Sequence, residues 1–132
     1  FWTLGYDTIY GYQDIIDDEI IGVKSTSIKF KEHPKKFIII CYSITALAFL
    51  TVGLIMNFNF FLYIGFFSII IHLFFYQLIL FYFKNIDKCL KIFKSNNSFG
   101  FIFLFFIFLG KLSIWNQAKL LKDYIKITQK NF

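Results

Sequence analysis

The residues best suited to chemistry are acidic and crowded into one short stretch. Five of the eight acids in the chain fall between Asp7 and Glu19, in the string Asp7-Thr-Ile-Tyr10-Gly-Tyr-Gln13-Asp14-Ile-Ile-Asp17-Asp18-Glu19. On one continuous helix, seven residues make nearly two turns and four make little more than one, so this spacing predicts that Asp7, Asp14 and Asp18 share a face. Like charges at such spacings repel, and repel more beside lipid, where the effective dielectric constant falls. A compensating cation is therefore expected. Mg²⁺ suits the set, because it takes one or two carboxylates and completes its octahedron with water and substrate phosphates. Asp17 lies about 100° from Asp18 around a helix and ranks second. Lys24, Ser25 and Thr26 follow Gly22 and offer a cation and hydroxyl donors of the kind that bind phosphate oxygens. The bland alternative is a solvated acidic loop, but Tyr10, Tyr12, Ile15 and Ile16 interleave with the acids, which such a loop does not need.

The elements that must position this cluster belong in a membrane. Of the 132 residues, 58% are hydrophobic and 23% aromatic, against 17% charged, where soluble domains run near one quarter charged. Two cysteines make no disulfide scaffold, and Cys41 and Cys89 have no metal-ligand spacing. The 14 basic residues are all Lys, giving a net charge of +6. Without Arg, a nucleic-acid reader is disfavoured and no nucleic-acid partner is expected; lysines at membrane boundaries fit better.

The 47 residues from Phe37 to Phe83 contain no Asp, Glu, Lys or Arg. As one helix they would be about 70 Å long, more than twice the hydrocarbon core, so they must fold back. Asn57-Phe58-Asn59 are the clustered turn formers in the run and divide it into spans at 35–56 and 60–83. Pro34 suits a helix's first turn. A third span is expected at 99–115, with Lys111 snorkelling or facing protein. Between the second and third spans, Ile86, Cys89, Leu90 and Phe93 fall at helical spacing beside Lys84, Lys88, Lys91 and Lys94. That pattern predicts an amphipathic surface helix, with Asn96, Asn97 and Ser98 capping the span that follows. Both lysine-bearing loops then lie on one side, expected to be the cytoplasm. Residues 1–12 read as the end of an earlier span, 13–33 as an Asp-rich cytoplasmic loop, and 116–132 as a polar tail. The acids near the N-terminus do not suit a secretory leader. His72 and Gln77 are polar exceptions inside the second span and are given no site role; a bond to a neighbouring helix accounts for them.

The string from Tyr6 through Thr26 resembles the second aspartate-rich motif of the UbiA intramembrane aromatic prenyltransferases, most closely in the branch acting on 4-hydroxybenzoate, with a pattern near D-x-x-Y-A-x-x-D-x-x-D-D followed by I-G-x-K-S-T. Cys89-Leu-Lys-Ile-Phe-Lys-Ser-Asn96-Asn-Ser-Phe-Gly100 is similar to the segment before that branch's last span. The resemblance covers Phe1 to Trp115 and implies an all-α, multi-pass transmembrane bundle of nine helices, of which this chain is the C-terminal part. It implies transfer of a polyprenyl group from polyprenyl diphosphate to the ring of 4-hydroxybenzoate, in ubiquinone biosynthesis, in a bacterial inner membrane with the Asp-rich loop facing the cytoplasm. Asp14 and Asp18 match the paired aspartates that hold Mg²⁺ on the diphosphate, and Asp7 matches the leading aspartate of the motif. Lys24 matches the lysine after it and is expected, with Tyr10, to bind the substrate diphosphate, and Tyr10 or Tyr12 would offer an aromatic face to a prenyl cation. Gly11 stands where the family more often has Ala. The family's first motif, N-D-x-x-D-x-x-x-D, is absent from these residues, so the chain alone is expected to be inactive and to need a missing N-terminal half. The competing readings are an inactive remnant or small non-catalytic membrane protein, and a prenyltransferase for another aromatic acceptor.

Overall fold

A computed structural model describes residues 1–55 and 59–130. Among them the chain is helical: α1 (Trp2–Gly11), α2 (Ile15–Ile21), α3 (Thr26–Lys29), α4 (Pro34–Ile55), α5 (Phe60–Ile70), a π-helical segment (Ile71–Gln77) continuing into the short α6 (Leu78–Leu80), and α7 (Ile86–Lys130). Three stretches are long and apolar enough to cross a membrane: Pro34–Ile55, Phe60–Leu80 and Ile86–Lys126. Large apolar side chains such as Leu47, Leu54, Phe67, Phe101 and Phe105 are more than half exposed. A soluble protein would not tolerate so continuous a greasy surface, whereas lipid solvates it.

α1 and α4 run antiparallel, as do α5 and α7, and α1 packs against both α4 and α7. The core between them is built from Ile9, Ile38, Tyr42, Ile69, Leu73, Ile92 and Phe99. Close approach of α5 and α7 depends on glycine: a Cβ on Gly65 would stand 2.8 Å from Phe106 Cβ, and one on Gly110 2.6 Å from Leu62 Cγ. Small residues let membrane helices approach to backbone distance, and dispersion then holds them. Of the turn formers Asn57-Phe58-Asn59, the first two lie outside the described residues. Asn59 caps α5 by accepting from Leu62 N–H at 3.3 Å, and its Nδ2 donates to Gly110 O at 2.6 Å, tying the hairpin turn to α7.

Several elements differ from the sequence expectation. The second span stops at Leu80, because Phe81 turns extended (ψ 114°) and buries its ring against Tyr12 instead of continuing toward Phe83. No separate surface helix precedes the third span: α7 is one helix of 45 residues, about 67 Å long. Asn96, Asn97 and Ser98 cap nothing and lie inside it. Of the apolar stripe Ile86, Cys89, Leu90 and Phe93, Cys89 is buried in the protein, with Ile92 buried near it, Leu90 and Phe93 are half-buried, and Ile86 is exposed. Lys111 follows Gly110, is exposed, and lies beside Phe108, Leu112 and Trp115, and α7 runs nineteen residues further. The segment expected as a polar tail is thus helical through Lys130; residues 131 and 132 lie outside the described residues.

Candidate functional site

The acidic segment is not one helix. After Gly11 the backbone closes two tight turns, with Tyr12 N–H on Ile9 O at 3.3 Å and Gln13 N–H on Tyr10 O at 2.9 Å, and α2 restarts at Ile15. The cause is Tyr12, fully buried against Phe81 and Phe83, with its hydroxyl toward Phe30 O at 3.5 Å. Asp7 therefore sits on α1 while Asp14 is the N-cap of α2 and Asp18 lies one turn into it, so the expected common helix face holds for Asp14 and Asp18 and not for Asp7. Burying Tyr12 also removes it as an aromatic face for a cation. Tyr10 remains: it is 40% exposed, with its other side packed on Phe93 at 4.5 Å between ring centroids.

α1 shows which way the site opens. Gly5, Thr8 and Ile9 are its buried residues, and Asp7 lies about 160° around the helix from Gly5 and Ile9. Asp7 and Asp14 are exposed and Asp18 half-buried. Asp14 makes no capping bond with its side chain, although Asp is a favoured capping residue. The Lys31–Glu19 pair, at 2.7 and 2.8 Å, is the one salt bridge among the described residues, so Asp7, Asp14, Asp17 and Asp18 have no protein cation. No three His, Cys, Asp or Glu side chains among the described residues stand close enough to hold a metal together. The donor set still fits Mg²⁺, which needs only one or two hard carboxylate oxygens and fills its shell with water and phosphate oxygens.

The loop after α2 is held by a left-handed turn. Gly22 has φ 82°, and its N–H and that of Val23 both donate to Asp18 O, at 3.0 and 2.9 Å. Gly22→Ala is expected to strain this cap by about 1 kcal/mol; faster amide exchange at residues 22–24, with α4 unchanged, is the measurement that checks it. Beyond it Lys24 is exposed, beside a shallow depression of about 350 Å³ lined also by Ser25, Thr26 and Lys29. Of the two hydroxyls the sequence offered to phosphate, Thr26 is taken as a donor, while Ser25 accepts a bond and keeps its O–H to donate. Ser25 Oγ caps α3 at Ile28 N–H (3.3 Å). Thr8 donates to Leu4 O at 2.6 Å, leaving its oxygen to accept from Thr26, 2.8 Å away. Ser27 donates to Thr8 O at 2.9 Å, docking the loop onto α1. Gly11 is needed for that docking, since a Cβ there would run into Ser27 Oγ.

Four further polar groups meet inside the bundle: Asn96, read from the sequence as a cap, Gln77, read as bonded to a neighbouring helix, and Trp2 and Tyr42, which the sequence did not single out. Gln77 Nε2 and Trp2 Nε1 both donate to Asn96 Oδ1, at 2.8 and 3.0 Å, and Tyr42 donates to Gln77 Oε1. Their signal in the sequence was polarity at buried positions of apolar helices. His72 behaves as expected: it stacks on Phe99 at 4.3 Å between centroids and its Nε2 lies 3.4 Å from Ser95 Oγ on α7.

Apolar helices wrapped in lipid, with unpaired carboxylates gathered where they end, define an all-α, multi-pass integral membrane protein. The chain belongs to the UbiA prenyltransferase family, whose model matches residues 1–110. It is 38% identical over 84% of its length to the mitochondrial 4-hydroxybenzoate polyprenyltransferase of Dictyostelium discoideum, of which it covers 24%. It is 35% identical over 83% of its length to the 4-hydroxybenzoate octaprenyltransferase of Haemophilus ducreyi, covering 39% of it, and 37% identical over 85% to 4-hydroxybenzoate geranyltransferase 1 of Lithospermum erythrorhizon, covering 36%. The chain thus spans 24% to 39% of the length of these relatives. No solved structure matches it.

Proposed function

We propose that the chain is part of an enzyme that transfers a polyprenyl group from polyprenyl diphosphate to the ring of 4-hydroxybenzoate, in ubiquinone biosynthesis. The observation that carries this is the likeness over most of the chain to relatives named for prenyl transfer to that acceptor. The unpaired acids at one end of the helices supply the matching chemistry.

In this reading Asp14 and Asp18 would hold Mg²⁺ on the diphosphate, one or two carboxylates being all it needs, with Asp7 on α1 offering a further carboxylate outside that pair. Mg²⁺ held there would supply neutralisation of the charge developing on the pyrophosphate. Lys24, exposed and without a carboxylate partner among the described residues, draws the diphosphate electrostatically. Gln13 Nε2, a buried donor without an acceptor among the described residues, is available to a phosphate oxygen. The allylic C–O bond breaks with its electron pair leaving on pyrophosphate; a ring carbon of the phenol bonds to the prenyl cation, and the ring then gives up its proton. Tyr10 presents a π-face from the same side of α1 as Asp7, three residues away, where it stabilises the cation without trapping it as water would.

The loop-bearing end faces the cytoplasm of a bacterial inner membrane. Supporting this, Lys35 and Lys36 at the start of α4 adjoin Phe81, Tyr82 and Phe83 before α7, so the two basic loops share one end. Residues 1–132 carry one of the two carboxylate clusters the family uses, and the active unit includes a second cluster outside them.

The test is an assay of membranes carrying the full-length protein, supplied with a polyprenyl diphosphate, 4-hydroxybenzoate and Mg²⁺, with product mass read out. Prenylated 4-hydroxybenzoate that vanishes with EDTA and returns with Mg²⁺ is expected. Prenylation of a different phenol in preference would move the enzyme to another acceptor, and no prenylated product from any phenol would sink the reading.

A further inference from the structure

The hydrogen-bonded chain Tyr42–Gln77–Asn96–Trp2, buried except at the half-buried Trp2, takes one residue from each of α4, the π-helical segment, α7 and α1, and has no place in the chemistry above. We infer that Asn96 and Gln77 are positioning residues: their hydrogen bonds fix the depth and rotation of α1, and so the place of Asp7 and Tyr10. The part of this that concerns activity rests on the acidic end being the diphosphate site.

Asn96 is fully employed. Its Oδ1 accepts from Trp2 and Gln77, while Nδ2 donates to Ile92 O at 3.0 Å and Phe93 O at 3.3 Å within α7. Gln77, wholly buried, receives the Tyr42 hydroxyl on Oε1 and gives Nε2 to Asn96. Turning Asn96 over would set donor against donor, and turning Gln77 over would set acceptor against acceptor, so each link fixes the next. In a bilayer no water replaces a lost partner, which makes the set cooperative.

α1 grips this network at two points. Trp2 bonds Asn96, and three residues on, Gly5 lies against the Tyr42 ring with no room for a Cβ. Asp7 follows two residues later on the same helix, about 3 Å further along the axis. A slip of one residue would rotate α1 by about 100° and carry Asp7 off the open face. The π-helical segment serves the same end. The buried positions Ile69, Leu73 and Gln77 are four residues apart, a step that drifts by about 40° in a regular α-helix; the wider π turn keeps Gln77 on the stripe that faces Asn96.

The test uses the full-length enzyme in membranes. Tyr6 and Phe93, whose rings lie 5.7 Å apart across the α1–α7 contact, are replaced by Cys, and their joining by a short bifunctional thiol reagent reports register; the single-cysteine proteins control for buried Cys41 and Cys89. Separately, kcat and the Mg²⁺ concentration for half-maximal rate are measured without the cross-linking pair. Gln77→Leu and Asn96→Leu are each expected to lower cross-linking several-fold, reduce kcat at least tenfold and raise the Mg²⁺ midpoint, with the double variant no worse than either single one. Where these fail to accumulate, Tyr42→Phe, which removes one hydroxyl, is expected to shift the same readouts in the same direction by about twofold. Unchanged cross-linking in the variants that accumulate would overturn the proposal, as would reduced cross-linking with unaltered kcat and Mg²⁺ midpoint. Asp7→Ala separates the two layers: if it keeps full activity and the wild-type midpoint, the diphosphate-site reading fails, and reduced cross-linking still supports the network's hold on α1.

Discussion

Alanine at Asp14 is expected to lower prenyl transfer by the full-length enzyme about a hundredfold to a thousandfold, the usual loss when one electrostatic contact to a developing charge is removed. The size of the effect follows from what the carboxylate is not doing. It stands at the N-cap of α2 yet makes no capping bond, is exposed, and has no ion pair among the described residues. Its removal should therefore leave protein abundance and thermal stability near wild type while the chemistry collapses. Asp14→Asn keeps the shape and loses the charge, so it should fail to the same degree; a structural role would let it recover. The measurement is product formation against Mg²⁺ concentration. Near-wild-type rates in both variants would mean that the acids are a solvated surface.

The second large effect concerns folding. Leu in place of Gly65 is expected to destabilise the bundle by about 3 kcal/mol or prevent assembly, at the upper end of the range for overpacking. The nearest atom to a new Cβ is Phe106 Cβ, at 2.8 Å, which cannot move without its backbone. Gly110→Leu should behave alike, since its Cβ would meet Leu62 at 2.6 Å and Asn59 Oδ1 at 3.0 Å, and would break the bond from Asn59 to Gly110 O. Ile64→Val, on the exposed face of α5, is the control and should change little. Equilibrium unfolding in detergent distinguishes them; a Gly65→Leu protein as stable as the control would mean that α5 and α7 do not approach so closely.

Much of this protein was written in its residue order. A charge-free run more than twice as long as the bilayer is thick had to fold back, because no buried backbone or ion can be left unsatisfied in lipid, and Pro34 and Asn59 mark where its helices begin. The acidic string likewise announced the family, since charge in so apolar a chain is conspicuous. Other features turn on contacts between residues far apart in sequence. Tyr12 looked available to substrate until its ring was found under Phe81, and that burial is what breaks the acidic segment into two helices. Asn96, Asn97 and Ser98 have the composition of a cap, yet Asn96 finds partners on α1 and the π-helical segment, so the helix passes through them unbroken. Local pattern determined where helices form and which residues carry charge, because periodicity and solvation act residue by residue. The tertiary structure alone decided which polar groups are occupied by one another, because a hydrogen bond across 94 positions leaves no spacing to read.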